Sequence, residues 1–428
     1  MTQPRELQKL VSSTGFTPGR ADLGPLFDLL ATAPEELAKD VVRALGRRPD
    51  VAVTLGARRL GTDPAEARPW IARLLGALGG AEAIDALLAA LEDPDERTRR
   101  AAARALGNMQ DARIEPALVA RLDRGPSPAE ARVLSAALGK VGGEATRERL
   151  GALAEDPALA KAAGRAALLA DRRHARDEGE SASIDLDASP EVPLTLVFRC
   201  RAGLAQLLAE EVASLALGGA ARAMGDDAVV AEGVTAPLSR ALGSRVALDV
   251  AVRLPPVDGA SVEAIAAALT GPVAKAVFGR HTRGAATFRL DWAEGGHKRA
   301  LAWDVAAAVA RAGGARNDPR SATWVARVSL ARGAAEIGLV PVGPLAERFA
   351  YRVKDVPAAS HPTIAAAIAR LGGVVADDVV WDPFVGSGTE LVERARPGPY
   401  RELGGSPLDR RARAAADENL RAARIDGV

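Results

Sequence analysis

The chain has 428 residues, 48% of them apolar but only 3% aromatic, and its 56 Lys and Arg against 55 Asp and Glu leave a formal charge of +1. That length predicts two to four domains, and that balance excludes a globally basic nucleic-acid binder, so any anion-binding face must come from local clustering. The lone Cys200 excludes an internal disulfide and a cysteine-cluster metal site, and four scattered histidines point to no zinc site, so no metal is expected.

The N-terminus, Met1 to Glu6, has no apolar segment of a secretory signal, and no run of ~18 apolar residues suggests a membrane span. A cytoplasmic protein that meets no membrane is expected, beginning with a tail over 1–22.

From 23 to 170 the sequence repeats. Leu-Gly pairs recur at 45–46, 78–79, 106–107 and 138–139, alternating with the breakers Asp63-Pro64, Asp93-Pro94, Gly125-Pro126 and Asp156-Pro157. A period of roughly 30 residues is the scale of helical hairpins. In the clearest unit a helix over 81–92 meets Asp93-Pro94 and is followed by a second helix, 96–106, where Arg97, Arg99, Arg100 and Arg104 alternate with alanines. The segment resembles short HEAT-like repeats. That resemblance implies an α-helical solenoid that presents a surface to another macromolecule, with a protein partner as one expectation. The stretch 171–192, rich in acids and serine, reads as a mobile acidic linker.

From Pro193 the pattern turns to α+β. Strands are predicted at 194–200, 227–231 and 246–254 with helices at 203–215 and 236–242, an order that suits a ferredoxin-like unit over 193–256. A further α+β segment, 257–354, follows, with a strand at 287–292, a helix at 300–312 and a strand at 323–329. Between Val273 and Lys354 there are 14 Lys and Arg against 6 Asp and Glu, a local +8. Such a cluster suits phosphate neutralisation. The phrases FRCRAGLAQLLAEEVASL and LSRALGSRVALDVAVRL, with this element order, resemble the ferredoxin-like and THUMP portions of THUMP-containing RNA methyltransferases. The resemblance implies a middle region that binds RNA, either tRNA or rRNA. His297, Lys298, Arg299, Arg316, Arg320, Arg327 and Arg332 are the expected contacts. Trp292 and Trp324, at strand positions, are expected in the core rather than stacked on bases.

The last block, 355–428, holds the most specific signal. An apolar run over 374–381 leads into Asp382-Pro383-Phe384-Val385-Gly386-Ser387-Gly388-Thr389 and then a helix over 390–395. A strand that breaks at Gly-x-Gly and feeds a helix lets backbone approach a ligand closely. The full string resembles the S-adenosylmethionine loop of class I methyltransferases in the form used on RNA guanines and DNA amino groups. The helix SHPTIAAAIARL before it and LGGSPLDRRARAAADENLRAA after it fit the same family. The resemblance implies the start of a Rossmann-like α/β domain with S-adenosylmethionine held by Asp382, Pro383, Phe384, Gly386, Ser387, Gly388 and Thr389. The family's ribose-binding acid aligns with Pro407, which has no acceptor side chain; Asp409, two residues on, and the adjacent Ser406 are the two candidate substitutes. Asn419 is expected to tether its helix.

Transfer in that family runs through an Asn/Asp-Pro-Pro-aromatic loop, and the implied activity is methylation of a guanine exocyclic amine. No such tetrapeptide occurs in this sequence, and only about forty residues follow the loop, where a doubly wound domain takes on the order of 150. The catalytic half is thus expected to be absent or truncated, and no catalytic residue is assigned. The alternative is a non-catalytic HEAT-repeat scaffold with a vestigial methyltransferase domain.

Overall fold

A computed structural model describes residues 4–13, 15–177, 182–259, 261–293, 295, 298–331 and 334–425. His297 and Arg332 lie outside the described residues. The chain divides into two compact units, Met1–Gly179 and Glu180–Val428.

The first unit is helical: α1 Pro4–Val11, α2 Leu23–Leu29, α3 Glu35–Leu45, α4 Pro49–Leu60, α5 Arg68–Leu78, α6 Ala81–Ala89, α7 Glu96–Leu106, α8 Ile114–Asp123, α9 Pro128–Val141, α10 Glu144–Leu153 and α11 Ala160–Asp177. Each breaker pair falls between the two helices of a hairpin: α4/α5, α6/α7, α8/α9 and α10/α11. Proline cannot continue the first helix because it lacks an N–H, and for α7 and α9 the acid or serine that follows it caps the second. Asp95 caps α7 by accepting from the Thr98 N–H at 2.9 Å, and Ser127 caps α9 by accepting from the Glu130 N–H at 3.2 Å.

Second helices of successive hairpins pack on one another, and glycine sets how closely. A Cβ on Gly76 would lie 2.5 Å from the Ala105 Cβ, one on Gly107 2.8 Å from Ala137, and one on Gly139 2.7 Å from Ala166. The Leu-Gly signal therefore has two physical origins. Gly79 takes a left-handed φ of 75° after α5, whereas α9 runs straight through Leu138-Gly139 to Val141, where glycine serves contact and not termination.

Two expectations are corrected here. Residues 1–22 are not a loose tail, because α1 buries Leu7 and Val11 completely in the helical core. Nor is 171–192 a free tether. Its start is the last part of α11, and its described remainder is tied down, with Asp185 accepting from Arg283 at 2.9 Å and Leu186 packed on the second unit's core. Local acidity was outweighed by specific partners that composition does not reveal.

The second unit continues with β1 Ser183–Ile184, β2 Leu194–Arg199, α12 Ala205–Ser214, β3 Ala220–Met224, β4 Ala228–Val234, α13 Leu238–Ala241, β5 Asp249–Arg253, β6 Val257–Asp258, α14 Val262–Thr270, α15 Pro272–Arg280, β7 Thr282–Arg283, β8 Thr287–Trp292, α16 Arg299–Arg311, β9 Arg316–Asn317, β10 Trp324–Ala331, β11 Ala334–Pro341, α17 Pro344–Glu347, α18 Pro362–Leu371, β12 Val379–Val385, α19 Thr389–Ala395, β13 Glu402–Pro407 and α20 Arg410–Ala422. A nine-stranded sheet takes the order β3-β4-β2-β5-β11-β10-β8-β9, with β6 also on β11. The segments 193–256 and 257–354 thus share one sheet, joined where β5 pairs antiparallel with β11.

Strand alternation sorts the two faces. Leu194, Leu196 and Phe198 of β2, Val250 and Val252 of β5, and Trp324, Ala326 and Val328 of β10 join one core with Leu208, Ile265, Phe278 and Val309 of the covering helices. Trp324 is fully buried and Trp292 nearly so, which bears out their core placement. Among the described residues no single helix is long and apolar enough to cross a membrane.

Candidate functional site

In the last block, β12 and β13 pair in parallel, Val379 with Glu402 through Asp382 with Gly405, and the register then shifts before Val385 meets Pro407. The strand extends further than its apolar run suggests. Asp382, Pro383 and Phe384 belong to β12 and not to a loop, and the bend begins at Gly386.

Gly386 and Gly388 serve different purposes. A Cβ on Gly386 would have one neighbour, Val356, at 3.4 Å, so its side is largely open. Gly388 is buried, has a φ of 73°, and would place a Cβ 3.3 Å from Ala416 of α20. It lets the chain turn into α19 and lets α20 approach; it does not face open space. Ser387 and Thr389 are likewise buried, with their hydroxyls 2.8 Å apart. Asn419 fastens this arrangement. Its Nδ2 donates to the Ser387 and Lys354 carbonyls, both at 2.8 Å, and its Oδ1 accepts from the Lys354 N–H at 2.9 Å. The expected tethering role is therefore visible as three bonds.

A cleft of ≈ 410 Å³ opens beside the turn, walled by Val356–Ser360, Phe384, Gly386, Ser387, Glu390, Leu408, Asp409 and Arg411. Phe384 and Leu408 present apolar surface to it, being 84% and 90% exposed. Asp409 caps α20, accepting from the Ala412 N–H at 2.8 Å through Oδ1. Of the expected cofactor residues, this cleft gathers Phe384, Gly386, Ser387 and Asp409. Asp382 and Pro383, with Phe384, line a neighbouring groove of ≈ 690 Å³ together with Ile368, Val379 and Trp381. Gly388 and Thr389 line neither. Asp382 Oδ1 accepts from the Phe384 N–H at 2.9 Å. Burial raises the Asp382 carboxyl above its ordinary 3.8; that hydrogen bond works against the rise and the charge of Glu390 adds to it.

The block is bound to the large sheet through buried charge. Glu393 of α19 is 1% exposed and takes a fork from Arg245, Nε to Oε2 at 3.0 Å and Nη2 to Oε1 at 2.6 Å, plus the Tyr351 hydroxyl at 2.7 Å. Burial, then the Glu393 charge, pushes the Tyr351 phenol well above its usual range. Glu211 of α12, equally buried, accepts from the Ser244 hydroxyl and from the Arg245 and Val246 N–H groups, and pairs with Arg370 of α18 at 3.1 Å. Arg348, pushed down to about 10 chiefly by burial and also by Arg245, donates to the Ser244 and Ala247 carbonyls. None of these residues carried a sequence motif; charges far apart in sequence meet only after folding.

The expected RNA contacts are dispersed. Lys298 stands before α16 with its Nζ 4.7 Å from the Trp292 ring centre. Arg299 is exposed at the start of α16, Arg320 is exposed after β9, and Arg316 on β9 is half-buried. Arg327 is committed to Asp249 of β5 at 2.5 Å. It shares the outer sheet face with Arg199, Arg253 and Arg289, which sequence reasoning passed over although strand alternation places them there. No group of three or more metal-ligating side chains occurs among the described residues.

Residues 350–428 match the model of an RMKL-like methyltransferase domain, and residues 54–128 match that of HEAT repeats. Nothing among curated proteins matches the chain. Similar solved structures include TrmN from Thermus thermophilus, at 26% identity over 55% of this chain and 72% of that one with a TM-score of 0.45. A Listeria monocytogenes protein described as a predicted N6-adenine-specific DNA methylase shows 18% identity over 54% and 72%, TM-score 0.42. SMU.472, solved complexed with SAH, shows 14% over 54% and 73%, TM-score 0.43. The two family matches give the chain helical HEAT repeats and a methyltransferase-type α/β domain.

Proposed function

We propose that the protein acts on structured RNA, tRNA or rRNA, with the 355–428 block holding S-adenosylmethionine and the 257–354 segment serving as a THUMP-like RNA-binding module; the methyl acceptor is a guanine exocyclic amine. The observation that carries the cofactor half is the open side of Gly386 facing a cleft that also holds the Phe384 ring and the Asp409 carboxylate.

These residues fit the cofactor. Gly386 admits close backbone approach, Phe384 and Leu408 offer apolar surface, and Asp409 offers an acceptor to a hydroxyl-bearing ligand at the tip of β13. Asp382, an acid held in a partly desolvated place, gains from a cationic neighbour. S-adenosylmethionine supplies a methyl group on a sulfonium centre. Holding that centre and the acceptor amine in line provides much of the barrier reduction in such transfers. For RNA, the support is the local +8 between Val273 and Lys354 and the exposure of Arg299 and Arg320.

Calorimetric titration with adenosylmethionine and adenosylhomocysteine tests the cofactor half: binding is expected, weakened at least tenfold by Gly386→Val. Tight binding unmoved by that change would place the ligand elsewhere. For the RNA half, mobility shifts with tRNA and rRNA fragments should weaken as salt rises. A scaffold reading, in which the block no longer serves catalysis, is favoured by Pro407 standing where the family has an acid. No cofactor binding at millimolar concentration would decide for it.

A further inference from the structure

The arginines of the helical unit fall into two sets. One set is spent on structure. Arg68 pairs with Asp93 at 3.0 Å, Arg99 and Arg121 both grip the buried Glu130 at 2.9 and 2.7 Å, and Arg59 bonds Asp63 and Asp28. Arg68–Asp93, Arg99–Glu130 and Arg59–Asp28 tie one hairpin to another, and Arg121–Glu130 and Arg59–Asp63 act within one. The other set lies on α5 and α7. Arg73 of α5 and Arg97 and Arg104 of α7 are exposed and make no ion pair among the described residues. Arg100 between them has only a 3.7 Å contact to Glu96.

This second set lines one groove. Its walls are Trp70, Arg73, Gly76 and Ala77 on α5 and Arg97, Arg100, Ala101 and Arg104 on α7, around ≈ 560 Å³. The spacings 70, 73, 77 and 97, 100, 104 put each row on a single helix face. The Gly76–Ala105 approach keeps the floor low, so the guanidinium groups stand above it. Trp70 is half-buried, with the Arg73 guanidinium 5.7 Å from its ring centre.

We propose that this α5/α7 groove binds the phosphate backbone of single-stranded nucleic acid, with Trp70 and Arg73 as a stacking platform for a base. Arginine forks match phosphate oxygens in pairs. The row extends roughly 10 Å along α7 and roughly 8 Å across to α5, room for about two or three phosphates and not one small anion. A protein partner is the weaker fit. Interfaces of that kind set Trp, Tyr or Arg anchors within a surround that excludes water, and the only large apolar side chain this unit exposes among the described residues to build one is Leu10. Unpaired arginines interleaved with one aromatic are the composition of a strand-tracking surface. The groove lies in a different unit from the cofactor cleft and does not rest on the function proposed for it.

The test uses the full chain and a fluorescein-labelled 15-nucleotide oligoadenylate, followed by anisotropy from about 50 to 300 mM salt. In the Arg73→Ala/Arg97→Ala/Arg104→Ala variant, affinity at 100 mM salt is expected to fall at least tenfold. The slope of log K against log salt should shrink by about 2, three contacts at ~0.7 each. The matching triple change to lysine should keep the slope, and Trp70→Tyr should keep both. Thermal melts by circular dichroism confirm folding of each variant. An unchanged affinity and slope in the triple alanine variant would overturn the proposal while leaving the cofactor titration and tRNA binding unaffected. Equal competition by polyglutamate at matched charge would overturn it too, in favour of an acidic protein partner.

Discussion

At the residue scale, the site depends on side chains that each satisfy a local demand. Asp382 has a carboxyl raised above its ordinary 3.8 by burial. A raised carboxyl binds its proton more tightly when folded, so stability falls as pH rises from 3.8 through the folded value and stays lower above it. Asp382→Asn should therefore hold or raise the melting temperature at pH 7 and flatten that acid-side decline. On the proposed reading it should also weaken adenosylmethionine by about tenfold. A melting temperature that drops at pH 7 would refute this account of the charge. Asn419 makes the opposite case. It is fully buried and uses both ends of its amide on the loop and on Lys354. Asn419→Asp keeps the shape but leaves the Ser387 and Lys354 carbonyls without a donor. A loss of about 2–4 kcal/mol in denaturant unfolding is expected, and a loss below about 1 would show the bonds to be dispensable.

At the element scale, helices are positioned by what lies where they come closest. Gly107 approaches Ala137 so closely that a Cβ would sit at 2.8 Å, in contact with backbone as well as side chain. Gly107→Val should cost about 1–3 kcal/mol by forcing α7 from α9, despite valine's greater apolar surface. Helix α19 is held by charge instead. With Arg245 removed, Glu393 keeps only the Tyr351 hydroxyl as a hydrogen-bond partner among the described residues, in a buried place. Arg245→Ala should destabilise the second unit by about 3–5 kcal/mol, and pairing it with Glu393→Gln should recover a substantial part. A double variant no more stable than the single one would mean that the Phe349 stacking on Arg245, at 4.7 Å, matters more than the ion pair.

At the scale of the molecule, the surface around β12 stands out. Among the described residues β12 pairs only with β13, and Ile368, Val379, Trp381 and Phe384 line the groove beside it at 50% exposure or more. Open strand edges with apolar neighbours promote association. Sedimentation should show mass rising with concentration, reduced by Ile368→Ser with Trp381→Ser; a monomer at every concentration would contradict this.

The sequence by itself determined what is periodic or local. Repeat spacing fixed the helical hairpins, because Asp-Pro stops a helix wherever it stands. Alternation located five strands of the large sheet, β2, β4, β5, β8 and β10, and put Trp324 inside, and the Asp382–Thr389 string located the strand-turn-helix. Tertiary structure alone decided the rest. In sequence Gly388 belongs to the ligand loop and Gly139 to a repeated Leu-Gly pair, yet each answers to a helix from elsewhere in the chain, Ala416 in one case and Ala166 in the other. Arg327, Arg245 and Arg99 look alike in sequence to Arg97 and Arg104, yet the first three form ion pairs and the last two form none among the described residues. Which arginine is free depends on distances between segments far apart in the chain, and those exist only once the helices have packed.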